Sequence, residues 1–368
     1  MDREEDKYFE EQDDLLEQYM KQINSELKQN NIALTIQPNK LETFSIQPIS
    51  NTNPNSEILE FNDDIQIPTK KKHIMQVDEE EDDEKDHPKG IAPLPLFDHS
   101  QCYYENVRVN FYNEHPNIAN MPPKIINEIM EAHSIKVYGS NSPRLFTSFN
   151  ELIIDKPLLN VIKEQKFVSP TPIQMQGLPA VLSGRDVIGI AKTGSGKTLV
   201  YLIPMILHIL DQKLLGPKEG PIALIIAPTR ELSQQIYDET IKYTKPYKLN
   251  VVGVWSEENK TKMWKDVMQG VEVIIGTPGK LIDMHRQKAF SLQKRCTFIV
   301  LDEADTMFSM GFEYQMRSLV AQARPNRQML MFSATYKVNV QKLSEDCLKD
   351  PIKIIIGKLG SVYLLLVK

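Results

Sequence analysis

Two short runs in this 368-residue chain combine residue types that handle phosphate. The first, Ala191-Lys192-Thr193-Gly194-Ser195-Gly196-Lys197-Thr198, follows the apolar stretch Val187-Ile188-Gly189-Ile190. Small residues in such a loop let backbone N–H groups point at phosphate oxygens, and a helix that follows adds its positive N-terminal end. Lys197 is placed to reach the β and γ phosphates, and the Thr198 hydroxyl to ligate magnesium. The second run, Asp302-Glu303-Ala304-Asp305, follows Phe298-Ile299-Val300-Leu301. Asp302 is expected to hold magnesium directly or through water, and Glu303 to orient and deprotonate the attacking water. Lys197, Asp302 and Glu303 form the expected catalytic set; Thr193, Gly194, Ser195, Gly196, Lys197 and Thr198 form the expected phosphate loop. A glycine-rich loop and an acidic cluster, each delivered by an apolar strand, describe a site for ATP and Mg2+.

Those strands belong to a longer alternation. Apolar runs at 187–191, 222–227, 250–254, 271–276, 297–301, 328–332 and 351–356 read as strands, and 199–211, 230–243, 260–269, 312–322 and 338–347 as helices. Near-continuous Val/Ile/Leu strands between helices predict a parallel sheet covered on both faces. The predicted fold is a doubly wound α/β domain with a P-loop, over residues 145–358, with its ligand at the carboxyl ends of the strands.

Upstream, the composition changes. Residues 1–90 carry 23 acidic and 10 basic side chains, against 26 acidic and 33 basic in the remainder, within an overall charge of −6. A mildly basic body suits a polyanionic partner. Leu16, Met20, Ile23 and Leu27 mark one amphipathic helix within residues 8–28, and the Asn/Gln/Pro/Ser-rich remainder up to residue 90 is expected to be disordered. Residues 91–144 form a connecting segment before the domain. Cys102, Cys296 and Cys347 show no metal spacing, and their sparseness fits a reducing compartment. The acidic start excludes a secretory signal, and no apolar run reaches a membrane-spanning length.

The run at 302–305 spells D-E-A-D, and with the motifs around it the chain resembles the DEAD-box RNA helicases. Phe149 and Phe167-Val168-Ser169-Pro170-Thr171-Pro172-Ile173-Gln174 match that family's Q motif. The resemblance implies that Phe167 stacks on adenine and Gln174 hydrogen-bonds its edge. Pro228-Thr229-Arg230-Glu231 and Thr277-Pro278-Gly279-Lys280 match segments that grip the RNA backbone without reading sequence. This implies Pro228, Thr229, Arg230, Thr277, Pro278, Gly279 and Lys280 as RNA-binding residues. Lys280 stands where arginine is commoner in the family, keeping the charge but not the planar fork. Ser333-Ala334-Thr335 matches the coupling motif, implicating Asp305, Ser333 and Thr335 in linking ATP chemistry to strand separation. Residues 105–117 and 14–20 are similar to the splicing-associated branch, which implies splicing proteins as partners and the nucleus as location, the cytoplasm remaining open. A monomer is expected.

Two departures qualify these expectations. Where the family carries a Gly-Gly motif this chain has Ser256-Glu257-Glu258, whose carboxylates would repel phosphate and weaken RNA binding. Beyond Gly357-Lys358-Leu359-Gly360 the likeness ends; residues 359–368 read as an unrelated apolar tail, and no HRxGRxGR string of a second RecA-like domain occurs. The expectation is a weakly active enzyme. A catalytically idle module binding RNA or a protein partner, and an interaction protein working through its acidic N-terminal region, are the alternatives.

Overall fold

A computed structural model describes residues 94–216, 219–256 and 260–357. The expected N-terminal helix and disordered stretch, Glu257-Glu258 and the 359–368 tail lie outside them. In chain order the helices and strands are α1 (Pro116–Ala119), α2 (Pro123–Ala132), β1 (Ile135–Tyr138), α3 (Lys156–Glu164), α4 (Pro172–Leu182), β2 (Val187–Ile190), α5 (Lys197–Leu210), β3 (Ala223–Ile226), α6 (Arg230–Thr244), β4 (Val251–Val254), α7 (Lys260–Met268), β5 (Val273–Gly276), α8 (Pro278–Arg286), β6 (Phe298–Leu301), α9 (Ala304–Ser309), α10 (Glu313–Gln322), β7 (Gln328–Ser333), α11 (Val338–Cys347) and β8 (Ile352–Ile356).

The strands form one sheet in the order β1-β8-β2-β7-β6-β3-β5-β4, parallel throughout except where β1 pairs antiparallel with β8. All seven strands expected from the apolar runs are present. The eighth, β1, comes from residues 91–144, which the sequence set apart from the domain. Every residue of β2, β3, β5, β6 and β7 is buried. Strand alternation sends Val187, Ile225, Val300 and Phe332 to one face and Ile188, Ile226, Leu301 and Met331 to the other. Helices α4, α5 and α6 cover the first face through Leu178, Val200 and Ile236; α8, α9, α10 and α11 cover the second through Leu281, Met307, Leu319 and Leu343.

The carboxyl edge of this sheet is stitched beyond the strands themselves. Ala191 N donates to Ser333 O (3.1 Å), Asp302 N to Ile226 O (2.9 Å), Ala227 N to Gly276 O (3.0 Å) and Thr277 N to Val254 O (3.1 Å). Each bond carries the pairing one residue past a strand end, so the loops leaving β2, β6, β3 and β5 start from fixed positions. At the other end the incoming chain is tied down. Leu94 N donates to Ser318 Oγ at 2.7 Å, Phe111 N to Leu182 O at 2.7 Å, and the Arg324 guanidinium lies 5.0 Å from the Tyr104 ring centre.

Candidate active site

The loop between β2 and α5 turns through two left-handed glycines, Gly194 (φ +76°) and Gly196 (φ +88°). A side chain at Gly194 would meet nothing within 4 Å, so the loop has open space where a ligand would approach. Gly196 is different: a Cβ there would lie 2.5 Å from Gln174 Nε2 and 3.2 Å from Thr171 Oγ1. It forms the N-cap of α5 with no side-chain cap, leaving the helix's first N–H groups for an outside acceptor. Ser195 Oγ is buried without a partner, a polar atom that a phosphate oxygen would satisfy. Lys197 is 6% exposed, and its ammonium donates to Ala191 O at 3.0 Å.

The acidic run sits next to it, one strand removed across the sheet. Asp302 directly follows β6, 3% exposed, with Oδ2 accepting from the Tyr201 hydroxyl and Oδ1 from Glu303 N, both at 3.0 Å. Burial pushes its carboxyl above the usual range, while the Lys197 charge and the Tyr201 hydroxyl pull the other way. Glu303 adopts a left-handed backbone (φ 52°, ψ 51°), unusual for a residue with a side chain. Its carboxylate accepts from Thr193 Oγ1 of the glycine loop at 3.1 Å and from Thr306 Oγ1 at 3.4 Å. The two runs, a hundred residues apart in sequence, meet in that Thr193–Glu303 bond.

Asp305, on the first turn of α9, reaches the loop after β7. Its carboxylate accepts from Ala334 N (3.3 Å), Thr335 N (3.0 Å) and Thr335 Oγ1 (2.9 Å), and Ser333 Oγ donates to Thr335 O (2.7 Å). Half-burial raises the Asp305 carboxyl, but the hydrogen bonds from this loop outweigh it and hold the group below the ordinary carboxylate value. The expected coupling residues are therefore in direct contact.

The segment before α4 forms a further wall. Gln174 is 4% exposed; its Oε1 accepts from Thr171 N at 2.9 Å and its Nε2 donates to Gly196 O at 3.0 Å. Its amide thus fastens this segment to the phosphate loop, a contact the sequence did not suggest, and keeps one lone pair and one hydrogen for a ligand. Phe167 is 42% exposed and leans on Phe149, ring centres 6.2 Å apart. On the other side, Thr229 caps α6 by accepting from Leu232 N at 3.2 Å, and Thr277 and buried Pro278 open α8. Because β3 and β5 are neighbours, Pro228, Thr229 and Arg230 lie beside Thr277, Pro278, Gly279 and Lys280 on the same carboxyl edge.

Tyr201 is the residue sequence reasoning missed. It stands four positions after Lys197 on α5, on the same helix face, and that spacing was the available signal.

A phosphate-cradling loop after one buried parallel strand, facing a buried carboxylate on another, defines a P-loop nucleotide-binding domain of RecA-like architecture. Residues 171–343 match the DEAD/DEAH box helicase family model, so the chain carries a domain of that family. It is 46% identical over 272 residues to human ATP-dependent RNA helicase DDX42, covering 74% of this chain but 29% of that protein. Among solved structures, the yeast DEAD-box splicing factor Prp28 superposes with a TM-score of 0.63 at 33% identity, over 67% of this chain and 59% of that one. Prp28 from Chaetomium thermophilum, solved bound to ADP, gives a TM-score of 0.60 at 32% identity, over 67% and 60%. The chain therefore spans about a third of the length of its DDX42 relative.

Proposed function

We propose that this chain carries the ATP-binding domain of an ATP-dependent RNA helicase. The observation that carries the proposal is the Thr193–Glu303 hydrogen bond (3.1 Å), which joins the phosphate loop and the acidic run into one site at the sheet's carboxyl edge. In this reading the free N–H groups at the start of α5, with Ser195 Oγ and the Lys197 ammonium, bind the phosphates, Lys197 exchanging the Ala191 carbonyl for a phosphate oxygen. Phe167 offers a face for the base and Gln174 its remaining amide groups. Thr198 and Asp302 would hold Mg2+, and the chemistry suits them: one hydroxyl and one carboxylate, both oxygen donors. Bound there, the ion would neutralise charge on the phosphate oxygens. Glu303, oriented by Thr193 and Thr306, accepts the proton of the attacking water. Asp305 passes the state of this edge to Ala334 and Thr335 through its three hydrogen bonds, and Ser333 joins them through its own bond to Thr335 O.

RNA is the proposed partner. Pro228–Arg230 and Thr277–Lys280 occupy adjacent strand ends beside the nucleotide site, where backbone contacts to one strand need no base readout. A role in nuclear pre-mRNA splicing is supported by the likeness to the splicing factor Prp28. Among the described residues no helix is long and apolar enough to cross a membrane. The test is fluorescence anisotropy with a labelled polyuridine oligomer at several salt concentrations. Replacing Arg230 and Lys280 together by Ala should weaken binding and lower the log–log salt slope by about 1 for each phosphate no longer neutralised. An unchanged affinity and slope would remove this edge as the RNA surface.

A further inference from the structure

The Tyr201 phenol bonds to Asp302, one of the two residues expected to share a metal ion, and follows the other, Thr198, by three positions on α5. Its ring is fully buried and packs on Phe332, ring centres 5.5 Å apart. A phenylalanine would fill that space equally well, and a buried hydroxyl is unfavourable unless it is paired. Here it is paired: it donates to Asp302 Oδ2 at 3.0 Å. With Glu303 N on Oδ1, both oxygens of the Asp302 carboxylate are held, so its plane is fixed.

We propose that Tyr201 is a positioning residue for magnesium: its hydroxyl sets the orientation of the Asp302 carboxylate. This rests on the ATP–Mg2+ reading of the site. The logic is that of outer-shell groups at metal centres, which orient ligands they do not replace. A carboxylate free to rotate would have to be ordered when the ion binds; one already held at both oxygens would not.

The test compares the chain with Tyr201→Phe, which keeps the ring and removes the hydroxyl. Each is titrated with a fluorescent N-methylanthraniloyl ADP, once in EDTA and again across a MgCl2 series. For Tyr201→Phe, affinity in EDTA should stay within about twofold of the parent, while the Mg2+ concentration giving half of the enhancement rises on the order of 10-fold. If the parent shows Mg2+-dependent binding and Tyr201→Phe reproduces it unchanged, the positioning role is overturned and the nucleotide site stands. If the parent binds no nucleotide in either condition, the reading of the site itself falls. Equal losses with and without Mg2+, or a variant that circular dichroism shows to be unfolded, would make the hydroxyl a structural tie and also overturn the proposal.

Discussion

Gly196 and Gly194 sit two residues apart in one loop, both with positive φ, yet the structure assigns them different costs of substitution. An alanine at either position pays for a left-handed backbone, about 1–2 kcal/mol. At Gly194 that is the whole cost, because nothing lies within 4 Å of the added carbon. At Gly196 the new Cβ would stand 2.5 Å from Gln174 Nε2, closer than carbon and nitrogen can approach. The buried Gln174 amide must move, giving up its bonds to Thr171 N (2.9 Å) and Gly196 O (3.0 Å). At about 1 kcal/mol for each, Gly196→Ala should cost roughly 3–4 kcal/mol in total. For a domain of this size the excess over Gly194→Ala, about 2 kcal/mol, corresponds to a Tm lower by roughly 4–8 °C. Thermal denaturation of both variants measures it. In a Gln174→Ala background the excess should largely vanish, since the group that clashes is gone. Equal melting temperatures for the two glycine variants, or an excess that survives Gln174→Ala, would refute the reasoning.

Other consequences are as direct. Asp305→Asn places an amide against donors that a carboxylate accepts, and should lower stability at neutral pH by about 1–3 kcal/mol in urea denaturation. Because the folded state holds the Asp305 carboxyl below its ordinary value of 3.8, its contribution is present above that value. It is lost as pH falls through the lower folded value, so the deficit of the variant should shrink there. His208 is buried against Thr297 Oγ1 at 2.7 Å, and burial lowers its pKa from 6.5 to about 4. Its neutral form is stable above pH 6.5; acidification from 6.5 to 4 should cost on the order of 3 kcal/mol, a slope that His208→Leu should flatten. Replacing Glu257 and Glu258 by Gly should tighten RNA binding in the anisotropy assay, since two negative charges that would repel phosphate are removed.

Much of the fold was legible because parallel strands buried on both faces must be apolar throughout. The runs at β2, β3, β5 and β6 stand out for that reason, and each leads directly into a site loop. Helix α4 left no such mark. Every residue from Ile173 to Leu182 is buried, so it shows no polar face and no 3.6-residue alternation. Strand β1 is four residues of an antiparallel edge, Ile135-Lys136-Val137-Tyr138, too short for a pattern. At the site, residue types gave the phosphate loop and the acidic run, but not the bonds between them. Thr193 to Glu303, Gln174 to Gly196 and Tyr201 to Asp302 span 110, 22 and 101 residues, and only the sheet order brings each pair together.

The central claim, that the loop from Ala191 to Thr198 binds nucleotide phosphate, is tested most directly by equilibrium binding of fluorescent ADP to the chain and to Lys197→Ala. Saturable binding competed by ATP is expected for the parent. Loss of the charged hydrogen bonds from Lys197 should weaken it by about 1.5–3 kcal/mol, roughly 10- to 100-fold. Binding by Lys197→Ala as tight as by the parent would contradict the account.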